Sequence, residues 1–261
     1  MQDRFTERQL QQFQEDGYVV VRGMVGESIW QRILQVAIDD LGREVQPIEY
    51  EAELNYPGAP SAMTDTGGRT ARRLKAALSR NAIFMEWIVS RGVRGRLEQL
   101  LDPPVVMPLS HHNCLMTKQP RFSSDTGWHQ DVRYWSFSQP DLVSLWLALG
   151  PEYRRNGCLR VIPGSHRGSY QPEQFDSEQF LIPDLEANTK LIDNAVDVEL
   201  DPGDVLFFHA RLFHAATRNF TEEPKFSAVF TFRSFNNSPL PQTRSSSLPE
   251  LLLTAPEPPK N

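Results

Sequence analysis

The sequence predicts a mostly β protein with helical additions, helices packed on a β-barrel, and three observations carry that reading. Amphipathic helical spacing is confined to the first hundred or so residues. Beyond Pro104 the texture changes to short runs of β-branched and aromatic residues separated by turn signals. All six histidines, at positions 111, 112, 129, 166, 209 and 214, fall in that second half.

Taken in order, Thr6-Glu7-Arg8-Gln9 reads as a capping box that opens a helix whose apolar contacts are Leu10 and Phe13. Asp16-Gly17 stops it, and Tyr18 to Val21 reads as a strand. A second amphipathic helix begins near Ser28, with Trp30, Ile33, Leu34, Ala37 and Leu41 on one stripe suited to covering a sheet. Residues 43–69 are rich in Pro, Gly and acidic groups without periodicity, the composition of a lid or a disordered segment. Helical spacing returns from Thr70 to about Leu101, carried by Leu74, Ala77, Leu78, Phe84, Trp87 and Ile88. Strands are then expected at 105–108, 113–118, 143–149, 159–162, 197–200, 205–209 and 226–232. From Asn236 onward Pro, Ser and isolated leucines suggest a mobile tail, so residues 1–235 are expected to form one catalytic domain and 236–261 an appendage.

A chain of 261 residues can bury one substantial core without a second domain. Its formal charge of −6 and the absence of a concentrated Lys/Arg run exclude the basic stripe that nucleic acid demands, leaving small molecules as the expected partners. No apolar stretch approaches the roughly 20 residues of a membrane span, and the first residues lack a signal-peptide pattern. Cys114 and Cys158 are too few for a disulfide framework. A soluble cytoplasmic protein with two free thiols is the expectation.

The chemistry is expected around Trp128-His129-Gln130-Asp131. A histidine and a carboxylate at i and i+2 of an extended strand project from one face, presetting two metal ligands. His214, at the end of an apolar run that follows the turn signal Pro202-Gly203-Asp204, offers a third. Two histidines and a carboxylate with the remaining positions open suit a non-haem Fe(II) oxygenase, although zinc with the same donors and a hydrolytic role is equally compatible with ligand type. His209 and His214 lie an odd number of positions apart and would face opposite sides of a continuing strand, so only one of them can join. His166 sits in a Pro-Gly-Ser-His turn, where hydrogen bonding to the backbone is its expected role.

Four blocks in fixed order sharpen this: His112 to Pro120; Trp128-His129-Gln130-Asp131; Asn156-Gly157-Cys158-Leu159 running on to Pro163-Gly164-Ser165-His166; and Pro202 to Phe232 with His214. Together they resemble the phytanoyl-CoA dioxygenase family, over roughly residues 5–235. The resemblance implies a double-stranded β-helix (jelly-roll, cupin-like) fold. It also implies Fe(II) held by His129, Asp131 and His214, O2, and 2-oxoglutarate as a co-substrate decarboxylated to succinate and CO2 while an aliphatic carbon of a small molecule is hydroxylated. It does not imply phytanoyl-CoA as substrate. Retention of Asp131, where related halogenases carry a small residue, points to hydroxylation. By the same resemblance His112, Thr117 and Trp146 line the co-substrate pocket.

One departure stands out. Members of the family commonly place an arginine eleven positions after the distal histidine to pair with the far carboxylate of 2-oxoglutarate, and this chain has Lys225. Lysine keeps the charge and loses the bidentate fork. Alternation places Lys225, Ser227, Val229, Thr231 and Arg233 on one strand face, expected to be the inner one, with Phe226, Ala228, Phe230 and Phe232 on the other. Ser227 would then add a hydroxyl to the same carboxylate, and Arg218 and Arg233 are fallback anchors. Gln130, Arg133, Tyr134 and Trp135, with Phe137, follow the metal motif and are expected to rim the pocket as aromatic walls with one cation, suited to a substrate with an anionic handle. Arg121 and the loop around residues 50–69 are further candidates. Two rival readings remain open at this level, a metal-dependent hydrolase or isomerase on a cupin-like barrel and a non-catalytic 2-oxoglutarate-binding sensor.

Overall fold

The computed structural model describes residues 3–253. Along the chain these are α1 (Glu7–Asp16), β1 (Tyr18–Val21), α2 (Glu27–Gly42), β2 (Ile48–Tyr50), β3 (Ala71–Lys75), α3 (Ala82–Ile88), α4 (Arg91–Leu100), β4 (Val105–Pro108) and β5 (Asn113–Lys118). There follow β6 (Thr126–His129), β7 (Leu142–Ala148), β8 (Leu159–Val161), α5 (Glu186–Ile192), β9 (Val196–Val198), β10 (Val205–His209), β11 (His214–Ala216), β12 (Lys225–Ser234) and β13 (Glu250–Leu252). Single 3-10 turns link several of them.

Among the described residues the strands form two antiparallel sheets. The larger runs β1-β10-β7-β12-β5-β3-β2, with β4 joining β12 to β13, and the smaller runs β6-β11-β8-β9. The double-stranded β-helix is thus built as two facing sheets. Between them lies an apolar layer in which Trp146, Leu206, Phe208 and Val229 of the larger sheet meet Leu159, Val161, Val198 and Ala216 of the smaller. The outer face of the larger sheet packs under the helices: Phe226, Ala228, Phe230 and Phe232 share a core with Phe13, Ile33, Ala37, Phe84, Trp87 and Leu97. Period-2 alternation along β12 therefore separates a helix-covered aromatic face from an inner face carrying Lys225, Ser227 and Val229.

The α1 capping box forms, Gln9 N–H donating to Thr6 Oγ1 at 3.3 Å, and Gly17 closes the helix in the left-handed region at φ 81°. Three expectations are corrected. Residues 70–76 are not helical. Leu74, spaced like a helix residue from Ala77 and Leu78, is buried instead in β3, opposite Leu115 of β5 and Ile48 of β2. Ala76, at φ 56°, breaks the run before the first helical turn. The excursion over residues 43–69 contains β2, and it is pinned by the buried pair of Arg72 with Glu51 at 3.3 Å and by Arg80, which donates to the Val45 and Pro47 carbonyls at 3.1 and 2.8 Å. The stretch after Asn236 is not a loose tail: β13 pairs with β4, Leu253 is buried, and Arg233 is ion-paired to Glu250. An amphipathic edge strand completed by a distant partner has no signal of its own in the sequence. Residues 254–261 of the expected tail lie outside the described residues. No helix among the described residues is long and apolar enough to cross a membrane.

Candidate metal centre

His129 ends β6 and His214 opens β11, and these two residues are directly opposed in the antiparallel pair, with ring centroids 4.2 Å apart. Neighbouring strands thus bring together side chains that are 85 positions apart in the chain. Gln130 keeps extended backbone at φ −110°, ψ 138°, which returns Asp131 to the face of His129; Asp131 itself starts a 3-10 turn over residues 131–134 and does not continue the strand. The carboxylate reaches between the two rings, Oδ1 lying 3.9 Å from His129 Nε2 and 3.7 Å from His214 Nε2. One ligand atom from each residue lies within 4.8 Å of the others, and all three residues are buried.

These groups fit a metal ion. His129 Nδ1 lies 2.8 Å from the Gly127 carbonyl and His214 Nδ1 3.0 Å from the Leu212 carbonyl, so each Nδ1 carries the proton and each Nε2 presents a lone pair to the centre. Burial, reinforced by His214 and Arg133, holds the His129 imidazole well below its usual pKa and so keeps it in the neutral ligand form. Asp131 Oδ2 accepts from the Ser144 hydroxyl at 3.4 Å, and Ser144 is bonded to Thr231 at 3.0 Å. This short relay from β7 and β12 orients the carboxylate and was invisible in the sequence. His209 is excluded because β10 ends there and the chain crosses to the other sheet before His214. His209 Nε2 is 3.4 Å from Asp141 and its Nδ1 accepts the Arg211 N–H. His166 packs on Gly17, and burial, reinforced by His209, pushes its pKa down to about 4 against the opposing pull of a backbone hydrogen bond to Gln14.

The triad lies on a cavity of about 560 Å³. His112 borders it with Nε2 3.8 Å from Asp131 Oδ1. His111 borders it as well and bonds Ser245 Oγ at 2.8 Å. Tyr134 and Trp135 line the wall, as does Tyr56 from the 43–69 excursion, whose hydroxyl meets that of Tyr134 at 2.9 Å. Other expected rim residues are employed elsewhere. Gln130 turns its amide to the Arg211 carbonyl, and Arg133 is held between Phe180 and Tyr134 while donating to the Glu178 carbonyl and Tyr56; neither borders the cavity. Phe137 packs beside Trp135, and Arg121 makes an exposed pair with Glu222 at 3.6 Å.

The expected co-substrate anchor is occupied by a side chain that the sequence did not single out. Glu152, fully buried, accepts from Lys225 Nζ at 2.9 Å, Ser227 Oγ at 2.6 Å and Trp146 Nε1 at 2.9 Å. The Thr117 hydroxyl is taken by the Ala71 carbonyl. Both fallback arginines are engaged away from the cavity, Arg218 with Asp125 at 2.6 Å and Arg233 with Glu250 and two carbonyls. The cations bordering the cavity include Arg73 and Lys118, neither of which the sequence nominated.

A model of the phytanoyl-CoA dioxygenase family matches residues 13–227. A probable phytanoyl-CoA dioxygenase from Caenorhabditis elegans is 25% identical over 221 residues, spanning 80% of this chain and 69% of that protein. Matches to mammalian peroxisomal phytanoyl-CoA dioxygenases span 36% of the human protein and 63% of the rat protein. Among solved structures, EctD from S. alaskensis with 2-oxoglutarate and 5-hydroxyectoine superimposes with a TM-score of 0.75 at 20% identity, over 92% of this chain and 80% of that one. The epimerase SnoN in complex with Fe3+, alpha ketoglutarate and nogalamycin RO superimposes with a TM-score of 0.71 at 21% identity, over 90% and 86%. With the match covering most of its length, this chain belongs to the phytanoyl-CoA dioxygenase family.

Proposed function

We propose that this protein is an Fe(II)- and 2-oxoglutarate-dependent dioxygenase that hydroxylates an aliphatic carbon of a small molecule, with succinate and CO2 as co-products. The observation that carries the reading is the buried convergence of His129, Asp131 and His214 on a cavity, both imidazoles held in the metal-binding tautomer by backbone carbonyls. When bound, Fe(II) and 2-oxoglutarate supply the oxygen-activating oxidation. The chain's residues position that chemistry. Ser144 orients Asp131, while Tyr56, Tyr134 and Trp135 wall the cavity. Arg244 on the wall supports a substrate with an anionic handle, whereas Arg73, also on the wall, is paired with Glu49 at 3.4 Å.

The test is anaerobic loading with Fe(II) and 2-oxoglutarate, followed by oxygen in the presence of a metabolite library, with succinate and product masses as readouts. Succinate formation coupled to a product heavier by one oxygen is expected. Turnover of a library compound without succinate would move the protein to the hydrolase or isomerase reading, and tight 2-oxoglutarate binding without any turnover to the sensor reading. A cytosolic location is supported by two buried free thiols, Cys114 and Cys158, and subcellular fractionation tests it.

A further inference from the structure

The family reading requires a cation for the far carboxylate of 2-oxoglutarate, and the residue in the expected place is already neutralised. Lys225 and Glu152 form a fully buried pair, and the Glu152 carboxylate also receives Ser227 and Trp146. Lys225 borders the cavity, but its charge is already met by Glu152, so the pair is a neutral unit and not an open anion site.

Directly across the β5–β12 pairing, in register with Lys225, stands Lys118. Its side chain is 7% exposed and borders the cavity on the same strand face as Cys114 and Met116. Its ammonium donates to the carbonyls of Ser124 at 2.9 Å and Thr217 at 2.5 Å, two of three available donors, and it has no carboxylate partner among the described residues. The nearby acids are committed, Glu51 to Arg72 and Asp125 to Arg218. Gly157, at φ 79°, clears the space beside it: a Cβ there would lie 2.8 Å from Lys118 Cδ. We propose that Lys118, and not Lys225, is the principal anchor for the far carboxylate of 2-oxoglutarate, an inference that rests on the family reading above. Burial, with Arg72 and Lys225 close by, holds the lysine well below its usual pKa, the signature of a charge short of a counter-ion; an incoming carboxylate supplies one.

The experiment is anaerobic titration of Fe(II)-loaded protein with 2-oxoglutarate and with 2-oxopentanoate, which carries a methyl group in place of the far carboxylate. Lys118→Met is expected to raise the Kd for 2-oxoglutarate by about 30-fold or more, the scale of a lost charge-assisted contact, and to leave that for 2-oxopentanoate within about threefold. Lys118→Gln, whose amide still serves the two carbonyls, is expected to lose 2-oxoglutarate affinity similarly, and Lys118→Arg to retain most of it. The double variant Lys225→Met/Glu152→Gln removes the neutral pair as a unit and is expected to stay within about fivefold of the unaltered protein. The proposal is overturned if the double variant loses affinity while the Lys118 variants keep it. It is overturned equally if Lys118→Met and Lys118→Gln weaken both ligands alike, which would make the lysine structural. An unaltered protein that binds Fe(II) but no 2-oxoglutarate overturns the proposed function itself, and the anchor with it.

Discussion

At the scale of single residues, the site is a set of assignments made by hydrogen bonds that sequence spacing does not display. His129→Ala, Asp131→Ala and His214→Ala are each expected to abolish Fe(II)-dependent succinate formation while near-ultraviolet circular dichroism stays native. Retained turnover in the His214 variant, with loss in His209→Ala, would move the distal ligand. Ser144→Ala removes the hydroxyl behind Asp131, and its expected effect is a roughly tenfold or greater weakening of Fe(II) binding, as for other partners of metal ligands; Fe(II) titration checks it. The thiols give an independent residue-scale test. Burial pushes Cys114 up to about 11 and Cys158 up to about 12, so at pH 8 fewer than about one thiol in a thousand is thiolate. Native protein should resist iodoacetamide and unfolded protein should take up two labels; rapid labelling of the native state would contradict the burial. His129 and Asp131 were legible because their spacing is local, and His214 because the family pattern marks it. Glu152 and Ser144 were not, because what makes each of them matter is a partner contributed by another strand; Lys118 was not, because its want of a counter-ion depends on how distant acids are paired.

At the scale of elements, short strands proved harder to read than helices. The α1 cap, the stop at Gly17 and the strand β10 follow from local rules, since caps and turns involve neighbours in sequence. β3 did not, because Leu74, Ala77 and Leu78 satisfy a helical spacing while the neighbouring strands β2 and β5 capture the segment. The link between the 43–69 excursion and the sheet is the Arg72–Glu51 pair, with side chains only 3% and 1% exposed. Arg72→Met strands a buried carboxylate and is expected to cost about 3–5 kcal/mol in urea unfolding, whereas Arg72→Met/Glu51→Gln should recover a substantial part of it. Equal losses in the single and double variants would show that shape, not charge, holds the excursion.

At the scale of the whole molecule, the chain beyond the last long strand belongs to the fold. β13 extends β4, and Glu250 neutralises Arg233, which is 3% exposed and would otherwise face the interior unpaired. Removing residues 238–261 is therefore expected to lower Tm by several degrees at least, the consequence of losing a strand and a buried charge partner; an unchanged Tm would make the segment an appendage after all. By itself the sequence determined the β-rich class, the helical cover on one sheet face and the His129–Asp131 pair, because periodicity, caps and a two-residue spacing act locally; His214 came from the family resemblance, and strand pairing brings it opposite His129. Only the tertiary structure decided which cations are already met by a buried carboxylate. The family pattern points to Lys225, and what neutralises it is a buried carboxylate, Glu152, that lies 73 residues away in the chain and is brought against it by the pairing of β7 with β12.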